Sequence, residues 1–174
     1  MDPDASSSIF IILGSLAASA FFSGMEIAFV SANRLQIELN AKQGWRGQLA
    51  SSFFKRPHLF IAVMLVGNNI ALVICGMESG ALISKQLFSS PDWLSAPSPM
   101  IALAVQTLVT TLVVIVTAEF IPKSIFLRNP AQWLKRLSAP LLIINTLLAI
   151  PAWIIIGLSK IFLFPFTTGR LESV

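Results

Sequence analysis

Val116-Thr-Ala-Glu119-Phe-Ile-Pro122-Lys-Ser124 closes an apolar run that begins at Met100 and holds no basic residue before Lys123. A carboxylate near the end of such a run is costly, since an ionised side chain at the centre of a bilayer is disfavoured by at least ~2.5 kcal/mol. Glu119 therefore demands a partner, which makes it the anchor of a functional hypothesis. Pro122 has no N–H to donate and its ring crowds the carbonyl four residues back, that of Ala118. The pattern predicts a kinked helix and a freed backbone oxygen beside a carboxylate, which together are half of a hard-cation site.

The composition around this stretch is that of a membrane protein. Of 174 residues, 55% are hydrophobic and only 11% charged, which is not a soluble balance. The net charge of +4 comes mainly from two basic clusters beside apolar runs. It reads as a topology and lipid-headgroup signal, not as nucleic-acid binding. The single cysteine, Cys75, lies in an apolar stretch and permits no intrachain disulfide. The opening Met1-Asp-Pro-Asp-Ala-Ser-Ser-Ser8 lacks the positive region of a cleaved signal, so the first apolar run is expected to be retained as a span.

That first span runs from about residue 9 to 32, long enough to cross ~30 Å of hydrocarbon. Ser15, Ser19, Ser23 and Glu26 share one side of it. Gly14, Ala18, Gly24 and Ala28 thin the helix nearby and favour close approach by another helix. Ser15 reads as packing. Ser19 and Ser23 are candidate ligands, because Gly24 beside Ser23 can loosen the helix and turn hydroxyl or carbonyl oxygens inward. Residues 33 to 56 are polar and basic, with a short helix expected from Arg34 that Gly44 stops; by the positive-inside rule this side is cytoplasmic. His58 at the border of the next apolar run reads as an interfacial anchor.

The second span covers about residues 59 to 83 and carries Val66-Gly67-Asn68-Asn69-Ile70 at its middle. Neighbouring positions on a helix point about 100° apart, so Asn68 and Asn69 share one site only if the helix breaks at Gly67. If it is unbroken, one amide binds and the other is interhelical glue. Glu78 reads as an outer-mouth residue. A short outer loop anchored by Trp93 leads to the third span, about 100 to 122, whose threonines are expected to bond their own backbone. Lys123, Arg128, Lys135 and Arg136 mark the return to the basic side. Three spans with the amino terminus outside fit this asymmetry. Residues 137 to 166 are long enough for a fourth span, but Pro140, Pro151 and Pro165 are expected to break them, and flanking bases suit helices at or re-entering the interface.

Candidate ligands are all oxygen: the Ser19 and Ser23 hydroxyls, an amide of Asn68 or Asn69, the Gly67 and Ala118 carbonyls, and Glu119. Such a set points to Mg²⁺, Ca²⁺ or Na⁺ and away from zinc or copper. A single carboxylate implies binding weak enough for release. The residues alone do not choose among these ions. No pairing of nucleophile and base suggests an enzyme.

Three motifs in order, Phe21-Phe-Ser-Gly-Met-Glu-Ile-Ala-Phe29, Val66-Gly-Asn-Asn-Ile70 and Thr117-Ala-Glu-Phe-Ile-Pro-Lys-Ser124, resemble the transmembrane domain of the CNNM/CorC family of magnesium transporters. The resemblance covers nearly the whole chain. It implies an all-α homodimer with three transmembrane helices per subunit and a cytoplasmic-side juxtamembrane belt helix at 137 to 166. It also implies a Mg²⁺ site in each subunit at Ser19, Ser23, Gly67, one of Asn68 and Asn69, and Glu119, with Mg²⁺ export coupled to Na⁺ influx. Glu26 and Lys123 match motif positions without an assigned role. The family continues into cytosolic CBS domains that bind ATP, so residues 167 to 174 are expected to lead into such domains in a longer protein. The competing expectation is a membrane scaffold or sensor with a structural cation.

Overall fold

The computed structural model describes residues 3–89 and 99–167 and, among them, consists of helices joined by short turns with no strand. Met1, Asp2, the loop that holds Trp93 and the tail 168–174 lie outside the described residues, as do the side chains of Gln106, Lys160 and Pro165. Helix α1 spans Pro3–Ser31, α2 Arg34–Ala41, α3 Trp45–Phe53 and α4 Pro57–Ser89. The third track is composite: α5 over Pro99–Val114, a π-helical turn over Ile115–Phe120, and α6 over Ile121–Leu127. Helices α7 (Pro130–Arg136), α8 (Ser138–Leu147) and α9 (Ala149–Thr167) complete the chain. Three stretches are long and apolar enough to cross a membrane: Ser6–Ser31, Pro57–Leu82 and Thr110–Leu127.

Proline sets several of these starts. Pro57, Pro99 and Pro130 each occupy the first helical position, where the missing N–H has no bond to lose. Asn33 caps α2, its Oδ1 accepting from Leu35 N–H at 2.9 Å. Helix α2 ends at Ala41 with Lys42 as its cap, before the Gly44 expected to stop it; Gly44 instead starts the next element. At φ 138° it takes a backbone conformation that side chains resist and opens a second helix, α3, not foreseen from the apolar pattern.

Helix α1 is the centre of the bundle, packed along α4 on one side and against the π turn, α6 and α7 on another. Its basic-side end is locked by aromatic rings. Phe29 stacks on Phe54 and on Phe60, both at 4.3 Å between centroids, and Phe53 lies 5.1 Å from Phe60. The α2–α3 pair packs on α7, and Lys135 Nζ donates to Gln43 Oε1 at 3.3 Å. The two basic clusters thus meet at one end of the bundle, as three antiparallel spans require.

The segment after α7 is not one straight helix. Helices α8 and α9 bend by 62° at Leu148, a broken span or a re-entrant element by length and composition. Pro140 does not break α8, because it lies in the first turn where no N–H is needed. Pro151 likewise lies in the first turn of α9, and the helix continues past Pro165 to Thr167.

Candidate functional site

Ser15, Ser19 and Ser23 are all buried, as one side of a helix turned to a neighbour must be. They differ in what they touch. Ser15 Oγ donates to Ile12 C=O of its own helix at 2.9 Å. Ser19 Oγ reaches across to α4 and donates to Asn68 Oδ1 at 2.6 Å. Ser23 Oγ, 1% exposed as a residue, has no hydrogen-bond partner. Native interiors rarely leave a hydroxyl in that condition, because an unsatisfied buried polar group costs about 1–3 kcal/mol.

Helix α4 runs unbroken through the amide pair, so the two asparagines part ways. Asn68 is buried against α1, whereas Asn69 is exposed. Gly67 serves the packing: a Cβ at this position would drive into the Phe22 ring, so glycine lets α1 and α4 close together. In an unbroken helix its carbonyl keeps its place in the backbone ladder and offers a second lone pair. Gly24 plays the same part on the other side, where a Cβ would come within 2.7 Å of the Phe126 ring; that ring stacks on Trp133 at 4.5 Å.

The π turn holds Glu119 and explains how the third track survives Pro122. The Ile121 N–H bonds to Val116 C=O, a wider register than the α-helix. The next bond in that register would run from residue 122 to Thr117 C=O, and proline cannot make it. In that register Pro122 withholds a donor from Thr117 C=O, and the helix continues through the proline to Leu127. The Thr117 hydroxyl donates to Val113 C=O at 2.7 Å, and Ser124 Oγ donates to Phe120 C=O at 3.0 Å. Ala118, fully buried, is the residue of the turn that meets the bundle. Glu119 beside it is half-buried and, among the described residues, makes no hydrogen bond or ion pair.

The chemistry of this junction is uniform. Ser19 spends its hydrogen on Asn68, leaving both its oxygen lone pairs free, and Asn68 Oδ1 keeps a second lone pair. One turn further along α1 the Ser23 oxygen is unclaimed. The π turn, which packs on α1, carries the Glu119 carboxylate and a carbonyl without its donor. Among the described residues no group of three His, Cys, Asp or Glu side chains could hold a soft metal. Glu26 and Glu78 are half-buried, and His58 is exposed. The π register and the two ring-on-glycine contacts were missed from sequence. A glycine two residues or fewer from a motif serine or asparagine was the signal available.

A helical membrane bundle with a polar junction between two close-packed spans and a π turn defines the class. The Cyclin M transmembrane N-terminal domain (CNNM) matches residues 10–172, and the chain belongs to this family. It is 30% identical over 115 residues to the UPF0053 inner membrane protein YfjD of Escherichia coli, covering 66% of this chain and 24% of that protein. It is 30% identical over 126 residues to the UPF0053 protein sll0260 of Synechocystis, covering 70% and 28%. The chain thus spans about a quarter of the length of the curated relatives it matches.

Proposed function

We propose that this chain is the ion-translocating part of a Mg²⁺ transporter that exports Mg²⁺ in exchange for Na⁺ influx. The observation that carries the reading is the buried Ser23 hydroxyl without a partner, one turn along α1 from the Ser19–Asn68 pair, with the π turn of Glu119 packed on the same helix. A hard cation would claim the free lone pairs, and Glu119 would supply the charge. The ligand set is Ser19, Ser23, Asn68, the Gly67 carbonyl and Glu119, with Asn69 on a different face of α4. Family membership and the all-oxygen chemistry support Mg²⁺ over softer ions. The protein is not an enzyme in this reading. It works as a homodimer in the plasma or inner membrane, with its amino terminus outside and its carboxyl end leading to cytosolic CBS domains.

The test is Mg²⁺ flux from liposomes carrying the purified chain under an imposed Na⁺ gradient. Flux should follow the gradient, and Glu119→Ala should abolish it while leaving assembly intact. Tight Mg²⁺ binding without flux in correctly inserted protein would favour the second reading, a sensor or scaffold whose cation is structural. That reading draws on the close Ser19–Asn68 bond, which ties α1 to α4 as a structural element would.

A further inference from the structure

A second polar feature lies apart from the serine and asparagine line, at the turn between α3 and α4. Here a pocket of about 210 Å³ is walled by Ser52, Lys55, Arg56 and Asn145, and it continues onto the apolar side chains of Leu59 and Leu142. Two cations therefore sit side by side on one wall, and among the described residues neither forms an ion pair. Ser52 does not neutralise them, since its hydroxyl donates to Leu49 C=O at 2.6 Å. Asn145 interrupts the apolar helix Ser138-Ala-Pro-Leu-Leu-Ile-Ile-Asn-Thr-Leu147. Its Oδ1 is buried with no hydrogen-bond partner, an acceptor waiting for a donor.

The backbone adds to the charge. Helix α4 begins at this turn with Pro57, and its first bond runs from Phe60 N–H to Arg56 C=O at 3.2 Å. The amides of His58 and Leu59 have no intrahelical partner, and the positive end of a 33-residue helix faces the turn. The pocket thus offers uncompensated positive charge and an apolar exit, and its lining residue Asn145 holds an unpartnered buried acceptor. It stands at the basic end of a membrane bundle, where headgroups lie.

We infer that this pocket binds the headgroup of an anionic phospholipid. The phosphate sits between Lys55 and Arg56, a headgroup hydroxyl donates to Asn145 Oδ1, and an acyl chain leaves along Leu59 and Leu142. Paired basic residues between helices at the cytoplasmic side suit such headgroups. A zwitterionic choline lipid matches less well, having no hydroxyl to give and a cation to place beside two others. A soluble phosphate would use the charge but not the apolar exit.

The test is lipid retention by the purified wild-type chain, measured by native mass spectrometry with phosphatidylglycerol, phosphatidylcholine and glycerol 3-phosphate as probes. Phosphatidylglycerol should bind about tenfold or more tightly than phosphatidylcholine. The Lys55→Gln, Arg56→Gln double variant should bring the two lipids together, and Asn145→Leu should weaken phosphatidylglycerol about threefold. Equal retention of both lipids by the wild type would overturn the inference and needs no variant to fold. So would undiminished selectivity in a folded double variant. Displacement of the lipid by equimolar glycerol 3-phosphate would overturn it in favour of a soluble anion site.

Discussion

Helices α1 and α4 and the composite third track are all apolar enough to cross a bilayer, yet they are used differently. Half of the crossing stretch of α4 is buried within this chain, against 11% of that in the third track. Burial rises with mean hydropathy across the three stretches, lowest in the third track and highest in α4, but apolarity alone does not hold helices together in a bilayer. Lipid tails are as apolar as leucine, so helices in a bilayer associate where small residues allow close packing and polar groups bond across. Helix α1 offers Ser15, Ala18, Ser19 and Ser23 towards its neighbours, and α4 answers with Gly67, Asn68 and Ala71. The third track shows Leu108, Leu112, Val113, Ile115 and Val116 outward, large side chains at home against lipid or a second copy.

The largest effect expected from this contrast is Phe60→Ala. Phe60 is 1% exposed and touches two other rings, and its loss should destabilise the folded chain by about 3 kcal/mol in a detergent unfolding titration. Gly67→Ala should cost somewhat less, about 1–3 kcal/mol, because the Phe22 ring must move from α4. Leu112→Ala on the third track should change stability by no more than about 0.5 kcal/mol in a monomeric preparation. A cost near that of Phe60→Ala would mean that another surface covers this face, and the contrast between the two regions would then belong to the isolated chain only.

Much of this organisation was legible in the sequence, for reasons that differ by element. The three crossing stretches follow from apolar length, and the common side of Ser15, Ser19 and Ser23 follows from helical periodicity. Each of those signals is local. Helix α3 was hidden because Trp45-Arg-Gly-Gln-Leu-Ala-Ser-Ser-Phe53 has no clear apolar stripe and carries an internal glycine. The π turn was hidden because proline marks where a bond is missing but not how the preceding backbone redistributes its register. Asn68 and Asn69 could be separated only once α4 was seen to pass Gly67 without a break. The partners of Gly24 and Gly67 are rings distant in sequence, so Gly67 read as flexibility and Gly24 as both a loosening and a packing residue, where each acts as the contact surface for one ring.

The central claim is that the unpartnered Ser23 hydroxyl belongs to a cation site at the α1, α4 and π-turn junction. It is tested most directly by thermal unfolding of the purified chain titrated with Mg²⁺, run beside Ser23→Ala and Asn69→Ala. The account predicts a saturable rise in melting temperature for the wild type and for Asn69→Ala. For Ser23→Ala it predicts a rise that is lost or shifted about tenfold or more to higher Mg²⁺, with the metal-free protein no less stable, since that hydroxyl bonds nothing in the protein. An unchanged Mg²⁺ response in folded Ser23→Ala would contradict it.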